Sequence, residues 1–222
     1  MSKNNKVDIS NEQIAASLAP FGIHPSFDQV SEIREYISIL LKWNKLISLT
    51  TVLDPAEIIA RHFGESMYAS SLTPVENGRL ADVGSGAGFP GLALKILCPK
   101  LEVILIESNK KKCAFLSEVV TVLGLAGVEV LPKRFEEIRA GSGFANLVTA
   151  RALGGFPELL RWSQGVLSRR GHLVLWVGGD DSTKISGIPG WTWQPAVHLP
   201  ESQRRFILIG RPVLQGEPET AT

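Results

Sequence analysis

Residues 80–91, LADVGSGAGFPG, restrict the fold of this chain more than any other stretch. An apolar run ends at Val83, glycines stand at 84, 86 and 88, and Pro90 follows where a helix would open. Glycine enters the left-handed backbone region without a side-chain clash, so alternating glycines permit a sharp reversal and close approach to a ligand. Strand, glycine turn and helix in succession form the first βα unit of a doubly wound sheet. Gly86, Gly88 and Gly91 also satisfy GxGxxG, which alone is a weak sign of a dinucleotide site.

The sequence on the C-terminal side continues the same alternation. Strand candidates are Arg79 to Val83, Val103 to Ile106, Val128 to Leu131, Ala145 to Thr149 and His172 to Val177. Helices fit between them at Pro90 to Leu97, Lys110 to Leu123 and Phe156 to Leu167. That order predicts a mostly parallel sheet. Trp191 to Leu199 and Arg205 to Gly210 add two strands, expected to be antiparallel, which makes seven.

The N-terminal side is helical in texture. Ser10 with Gln13, and Ser26 with Gln29, have the spacing of a capping box. Phe27, Val30, Ile33, Ile37, Leu40, Leu41 and Ile47 then recur at helical spacing. Asp54, Pro55 and Glu57 supply an N-cap, an N1 proline and a first-turn carboxylate. The helix they start, carrying Ile58, Ile59, Phe63 and Met67, is expected to reach about Ser71. These features predict a helical section over 1–75, an α/β domain over 76–211 and a mobile tail over 212–222.

Composition excludes some classes. A length of 222 residues suits one α/β domain with a modest extension. The opening residues, MSKNNKVDISNE, have no apolar core of a signal peptide, and the apolar runs are too short to span a bilayer. A cytoplasmic location without a membrane partner is expected. Cys98 and Cys113 make no disulfide framework, and the four histidines include no HExxH, so no metal is expected. With 23 basic and 22 acidic residues, the net charge of +1 does not announce nucleic acid; a basic face would be needed.

Two acids bear on what the glycine loop holds. Asp82 stands two residues before the first glycine, where it would repel a pyrophosphate. S-adenosylmethionine carries an ammonium, a sulfonium and no phosphate, so a carboxylate there attracts it. Glu107 ends the next strand and suits a grip on two ribose hydroxyls. This pattern favours S-adenosylmethionine, with a nicotinamide or flavin nucleotide and a ligand-free turn as the alternatives. Phe135 and Glu136 fall where an adenine ring would lie, although Phe135 is read equally well as core.

Absent motifs narrow the acceptor. The segment after the fourth strand is Thr149-Ala150-Arg151-Ala152, without the Asn/Asp-Pro-Pro-aromatic turn used on exocyclic base amines. Neither cysteine lies where cytosine C5 chemistry would need its nucleophile. A target with a ready lone pair, such as guanine N7, needs no general base, and the sequence names no catalytic residue. Lys110, Lys111, Lys112, Lys133, Arg134 and Arg151 lie near the strand ends, with Arg61 and His62 from the helical section. Arg61, His62 and Lys111 are the expected RNA contacts. Lysines at a helix start oppose its dipole, which favours a ligand role for them. Arg169-Arg170 and Arg204-Arg205 are assigned to the surface.

The motifs WNKLISLTTV (43–52), RHFGES (61–66), DVGSGAGFPG (82–91), ESNKKKCAFL (107–116) and VTARALG (148–154) together resemble the RsmG/GidB family, the 16S rRNA guanine-N7 methyltransferases. The resemblance runs in order over about residues 26–177. It implies a class I, Rossmann-like methyltransferase fold with a helical N-terminal extension, S-adenosylmethionine as cofactor, and 16S rRNA or the small ribosomal subunit as partner. By position it implies cofactor contacts from Gly84, Phe89, the Phe135-Glu136 backbone and Arg151, to which the reading of the residues adds Asp82, Gly86, Gly88 and Glu107. The family more often has Asp where Glu65 and Glu107 stand, and lysine where Val177 stands. A monomer is expected. A small-molecule methyltransferase, a nucleotide-binding oxidoreductase or sensor, and an RNA-binding module without transfer activity are the competing readings.

Overall fold

The computed structural model describes residues 9–213 apart from Ala140, Ser142 and Leu153. The first eight residues, and residues 214–222 of the tail expected over 212–222, lie outside the described residues, while Pro212, placed in that tail, ends the last strand.

The strands are β1 (Arg79–Val83), β2 (Glu102–Ile106), β3 (Val128–Leu131), β4 (Ala145–Arg151), β5 (Leu167–Gly178), β6 (Trp191–Trp193), β7 (Val197–His198) and β8 (Arg205–Pro212). They form one sheet in the order β3-β2-β1-β4-β5-β8-β6, with β7 beside β8. The first five pair in parallel, and β8 runs antiparallel to β5, β6 and β7. The expected stretch from Trp191 to Leu199 divides into β6 and β7, so the described residues hold eight strands where seven were expected. Strand order reverses at β1, which sends β2 to one side and β4 to the other. In such sheets the crevice at the carboxyl ends beside the reversal is where ligands bind.

Alternation along the strands supplies two cores. Leu80, Val103, Leu105, Leu147 and Val174 face one cluster, while Ala81, Ile104, Ile106, Val148 and Leu173 face the other. Both faces of the parallel strands are therefore apolar, as helices on both sides require. Helices α5 (Gly91–Leu97), α6 (Lys110–Val122) and α7 (Phe156–Val166) lie where the sequence predicts them, to within a residue. A further helix, α8 (Gly179–Ser186), is polar and short and had no signal in the apolar spacing.

In the N-terminal section, α1 (Asn11–Leu18) and α2 (Phe27–Asn44) both begin with the expected capping boxes. Asp54 caps α3 (Pro55–Ile58) by accepting the Glu57 N–H. The expected regular helix to Ser71 is corrected here. After α3 the backbone passes through a π-helical turn (Ile59–Gly64), α4 (Glu65–Met67) and a 3-10 turn (Tyr68–Ser71). A π turn carries an extra residue, a local irregularity that side-chain periodicity does not report.

Three side chains tie α2 to the sheet domain. The Tyr36 hydroxyl donates to the Ala87 carbonyl at 2.7 Å, inside the glycine loop. The Gln29 amide donates to the carbonyls of Ile96 and Leu97, satisfying the end of α5. Trp43 Nε1 donates to Glu118 on α6 at 2.8 Å.

Candidate active site

The loop between β1 and α5 turns through positive φ at Gly84, Gly86 and Gly88 (+69°, +56° and +83°). Its N–H groups at Gly84 and Ser85 donate to the Ile106 carbonyl, fastening the turn to the end of β2. Gly88 admits no side chain: a Cβ there would stand 2.1 Å from the Tyr36 hydroxyl oxygen.

Asp82 lies under this loop with no exposed surface. One of its oxygens accepts the Gly91 N–H at 3.3 Å and the other accepts the Thr149 hydroxyl at 2.7 Å. Burial pushes its carboxyl up to about 6, against the lowering effect of those hydrogen bonds. The expectation that Asp82 itself meets a cationic ligand is corrected by this placement. It lies in β1 on the face that α5 covers, where a Cβ at Gly91 would come within 2.8 Å of its carboxylate. Its visible work is to join β1, β4 and the start of α5.

Glu107 stands at the end of β2, almost buried. It accepts the Gly86 N–H at 3.0 Å and the Asn109 N–H at 2.7 Å, one on each oxygen. A carboxylate has about four lone-pair directions, so both oxygens retain capacity for further donors. A cavity of about 420 Å³ opens beside it. Gly84, Glu107, Lys112, Phe135, Glu136 and Ala152 are among its lining residues. Its volume is in the ordinary range for a small-ligand site. Phe135 belongs to the second core and meets Trp162 edge to face, while also closing this cavity.

The lysines divide. Asn109 caps α6 through the N–H groups of Lys111 and Lys112. Lys112 reaches the cavity wall, whereas Lys111 is exposed and is not part of it.

Phe89 is stacked between Tyr36 (ring centroids 5.3 Å apart, 9° between planes) and His62 (5.0 Å, 26°). His62 Nε2 lies 2.7 Å from the Thr50 hydroxyl. Burial first, and then the charges of Arg151, Arg61 and Arg205, push its imidazole down to about 3. His62 is therefore neutral near pH 7, which corrects its grouping with the basic residues.

Arg151 and Arg205 meet at Glu65. Arg151 donates to Glu65 at 2.9 Å and to the Arg61 carbonyl at 2.8 Å. Arg205 approaches the other Glu65 oxygen at 2.7 Å. Glu65 is buried, and its carbonyl accepts Trp176 Nε1 at 2.8 Å. Arg205 was assigned to the surface, but the pairing of Arg205 with Gly178 brings it to the end of β5. Only strand pairing could reveal this. Tyr36 and Thr149 were likewise given no role of their own, because they act across 51 and 67 residues of sequence.

Among the described residues no group of His, Cys, Asp and Glu is placed to hold a metal ion, and no helix is long and apolar enough to cross a membrane.

Residues 29–187 match the model of a protein family, GidB, described as rRNA small subunit methyltransferase G. A ribosomal RNA small subunit methyltransferase G of Xylella fastidiosa is 39% identical over 163 residues, covering 73% of this chain and 76% of the relative. The protein of the same name from Nitrosospira multiformis is 33% identical over 191 residues, covering 86% and 85%. Among solved structures, a SAM-dependent methyltransferase from Aquifex aeolicus superposes with a TM-score of 0.62 at 19% identity, covering 78% of this chain and 98% of its own. A ribosomal protein L11 methylase from Lactobacillus delbrueckii gives 0.56 at 16% identity, covering 69% and 79%. These structural likenesses concern the fold.

Proposed function

The chain belongs to the GidB family, rRNA small subunit methyltransferase G, and from that premise we propose that it moves a methyl group from S-adenosylmethionine to N7 of a guanine in 16S rRNA. The observation that carries the cofactor assignment is the cavity bounded by Gly84, Glu107 and the Phe135-Glu136 segment at the carboxyl edge of β1 to β3. The residues there fit the group. The positive-φ glycines let backbone approach it, Glu107 retains acceptor capacity for two ribose hydroxyls, and Phe135 offers an apolar wall to a purine.

When bound, S-adenosylmethionine supplies a methyl group already activated by its sulfonium. The chain's own residues then align and exclude. Gly84, Gly86, Gly88 and Phe89 shape the loop, Asp82 fastens that loop from below, and Arg151 ends β4 beside the cavity. Guanine N7 carries a free lone pair and loses no proton on attack, so alignment of donor and acceptor is the main demand on the site. No general base is assigned. Neutral His62, stacked on Phe89, presents an aromatic surface to the acceptor side, and Arg61 and Lys111 are assigned to the RNA backbone. A cytoplasmic location follows from such a substrate, and a monomer is the proposed state.

Incubation with labelled S-adenosylmethionine and 16S rRNA, followed by borohydride and aniline cleavage, tests this reading. Strand scission at a single guanine is expected. Label on protein or small molecules only, or on rRNA without scission, overturns it.

A further inference from the structure

Thr50 and His62 form a unit that the cofactor cavity does not account for. The Asn44 side chain, at the end of α2, donates to the Thr50 carbonyl at 2.8 Å. Its oxygen accepts the N–H groups of Leu49 and Thr50 at 2.8 and 3.0 Å. The Thr50 hydroxyl accepts the Val52 N–H at 3.0 Å and lies 2.7 Å from His62 Nε2. A residue bound at its N–H, its carbonyl and its hydroxyl has little freedom to move. What Thr50 holds in this way is the edge of one imidazole.

One face of that imidazole is occupied as well. Phe89 stacks on it, Tyr36 stacks on Phe89 in turn, and Phe63 meets both Phe89 and Tyr36 edge to face. Rings from α2, the glycine loop and the π-helical turn therefore form one stack, with His62 as its outermost member. Tyr36 and Phe63 are buried, whereas His62 is only half-buried. Among the described residues no second ring lies against His62. A flat ring fixed at one edge and one face offers the other face for stacking.

Chemistry selects the occupant. Unpaired RNA bases are recognised by stacking on aromatic side chains, histidine included. Methyl transfer to guanine N7 forms an N–C bond as the C–S bond breaks, with the electron pair going to sulfur. Positive charge passes to the purine, and no proton moves. An imidazolium beside that purine would repel the charge, but burial and the charges of Arg151, Arg61 and Arg205 keep His62 neutral. A neutral ring instead turns its electron-rich face to the base. Position agrees, because the Arg61 carbonyl, next to His62, accepts Arg151 at the end of β4, and Ala152 beyond it lines the cavity.

We propose that the acceptor guanine stacks on the outer face of His62, and that Thr50 is the positioning residue that holds this ring for it. The inference rests on the rRNA guanine-N7 reading above.

Steady-state methylation of 16S rRNA by full-length variants tests it, with S-adenosylmethionine binding followed by calorimetry. Loss of a base–aromatic stack predicts a roughly ten- to hundredfold lower kcat/KM for His62→Ala. S-adenosylmethionine affinity is expected to stay within about twofold, because Tyr36 and Phe63 still hold Phe89. His62→Phe restores a ring without a titratable nitrogen and is expected to recover all but about threefold of the loss. Thr50→Val should lose about fivefold in the parent, the worth of one hydrogen bond, and nothing further in His62→Phe. Thr50→Ser should keep the parent value. A readout independent of turnover is a proton NMR titration with guanosine 5′-monophosphate. The His62 ring signals, assigned by their loss in His62→Phe, should move upfield as a purine covers them. Equal impairment of His62→Phe and His62→Ala would mean that a nitrogen is needed rather than a stacking face, and overturns the proposal. Cofactor binding that weakens in step with turnover in His62→Ala makes the ring a support for Phe89 and overturns it too, as do His62 signals unmoved by the nucleotide. Undiminished N7 methylation by His62→Ala refutes this inference alone. Absence of N7 methylation by the parent refutes the functional reading, while shifted His62 signals would still mark a purine site.

Discussion

Asp82 and His62 show how burial decides the charge a side chain carries. The Asp82 carboxyl lies at about 6, above its ordinary value of 3.8, with burial as the largest cause. A group raised on folding favours the fold below its ordinary value, and that contribution is lost as pH rises through the folded value. Between roughly pH 4 and 6 Asp82 therefore becomes a progressively costlier carboxylate, by about 3 kcal/mol on the difference of the two values. His62 behaves in the opposite sense. Its imidazole falls to about 3, so its contribution is present above pH 6.5 and lost as pH falls toward 3. Asp82→Asn keeps the shape and an acceptor for the Gly91 N–H while removing the charge. Its Tm is expected to exceed that of the parent at pH 7.5, by the equivalent of ~1 kcal/mol once the weaker amide hydrogen bond is allowed for. The gap should close toward pH 4. A melting series over pH 4–8 checks this, and a variant less stable at pH 7.5 would mean that the carboxylate earns its place through its hydrogen bonds.

At the scale of elements, the β1–α5 loop separates two roles that glycine plays within five residues. Gly86 has positive φ, and a Cβ there would meet nothing closer than 3.6 Å, so Gly86→Ala carries backbone strain alone, ~1 kcal/mol. Gly88→Ala adds a collision with the Tyr36 hydroxyl and with Leu92, and is expected to cost ~3 kcal/mol or more. Because the nearest obstacle is one oxygen, Tyr36→Phe should recover part of the Gly88→Ala cost while costing ~1 kcal/mol by itself through the lost bond to Ala87. Urea denaturation of the two single variants and the double variant measures that coupling; strict additivity would show that Tyr36 is not what excludes the side chain. The π-helical turn is the other element with a defined task, since it carries Arg61 and His62 toward β4 and the glycine loop.

Over the whole molecule, the N-terminal helices and the sheet share one hydrophobic cluster. Ile14, Ile33, Tyr36 and Leu40 belong to it together with Leu80, Leu105, Val174 and Ile207. The contacts of Tyr36, Gln29 and Trp43 cross the same boundary. Such continuity predicts one cooperative unfolding transition rather than two. Circular dichroism and tryptophan fluorescence should therefore give coincident melting curves. Removing residues 1–44 should leave a chain without a cooperative melt, because the apolar face covered by α2 would be opened to water. A truncated protein with a sharp transition of its own would overturn that view.

The sequence determined the elements and the class of the fold. Capping residues, glycines and apolar spacing act between near neighbours, so Ser10, Ser26, Asp54 and the β1–α5 loop could be read directly. The family was legible for the same reason, because its motifs are contiguous. The site was legible only as a set of candidates. Glu107 and Phe135 meet at one cavity as their strand-end positions suggested, yet Asp82 is sealed below the loop and His62 has lost its basicity. What tertiary structure decided was charge and partnership. Glu65, Arg61, Arg151 and Arg205 are brought together from up to 144 residues apart by a π turn and an antiparallel strand. Local sequence carries no record of such a meeting, because burial and ion pairing depend on which surfaces the folded chain brings into contact.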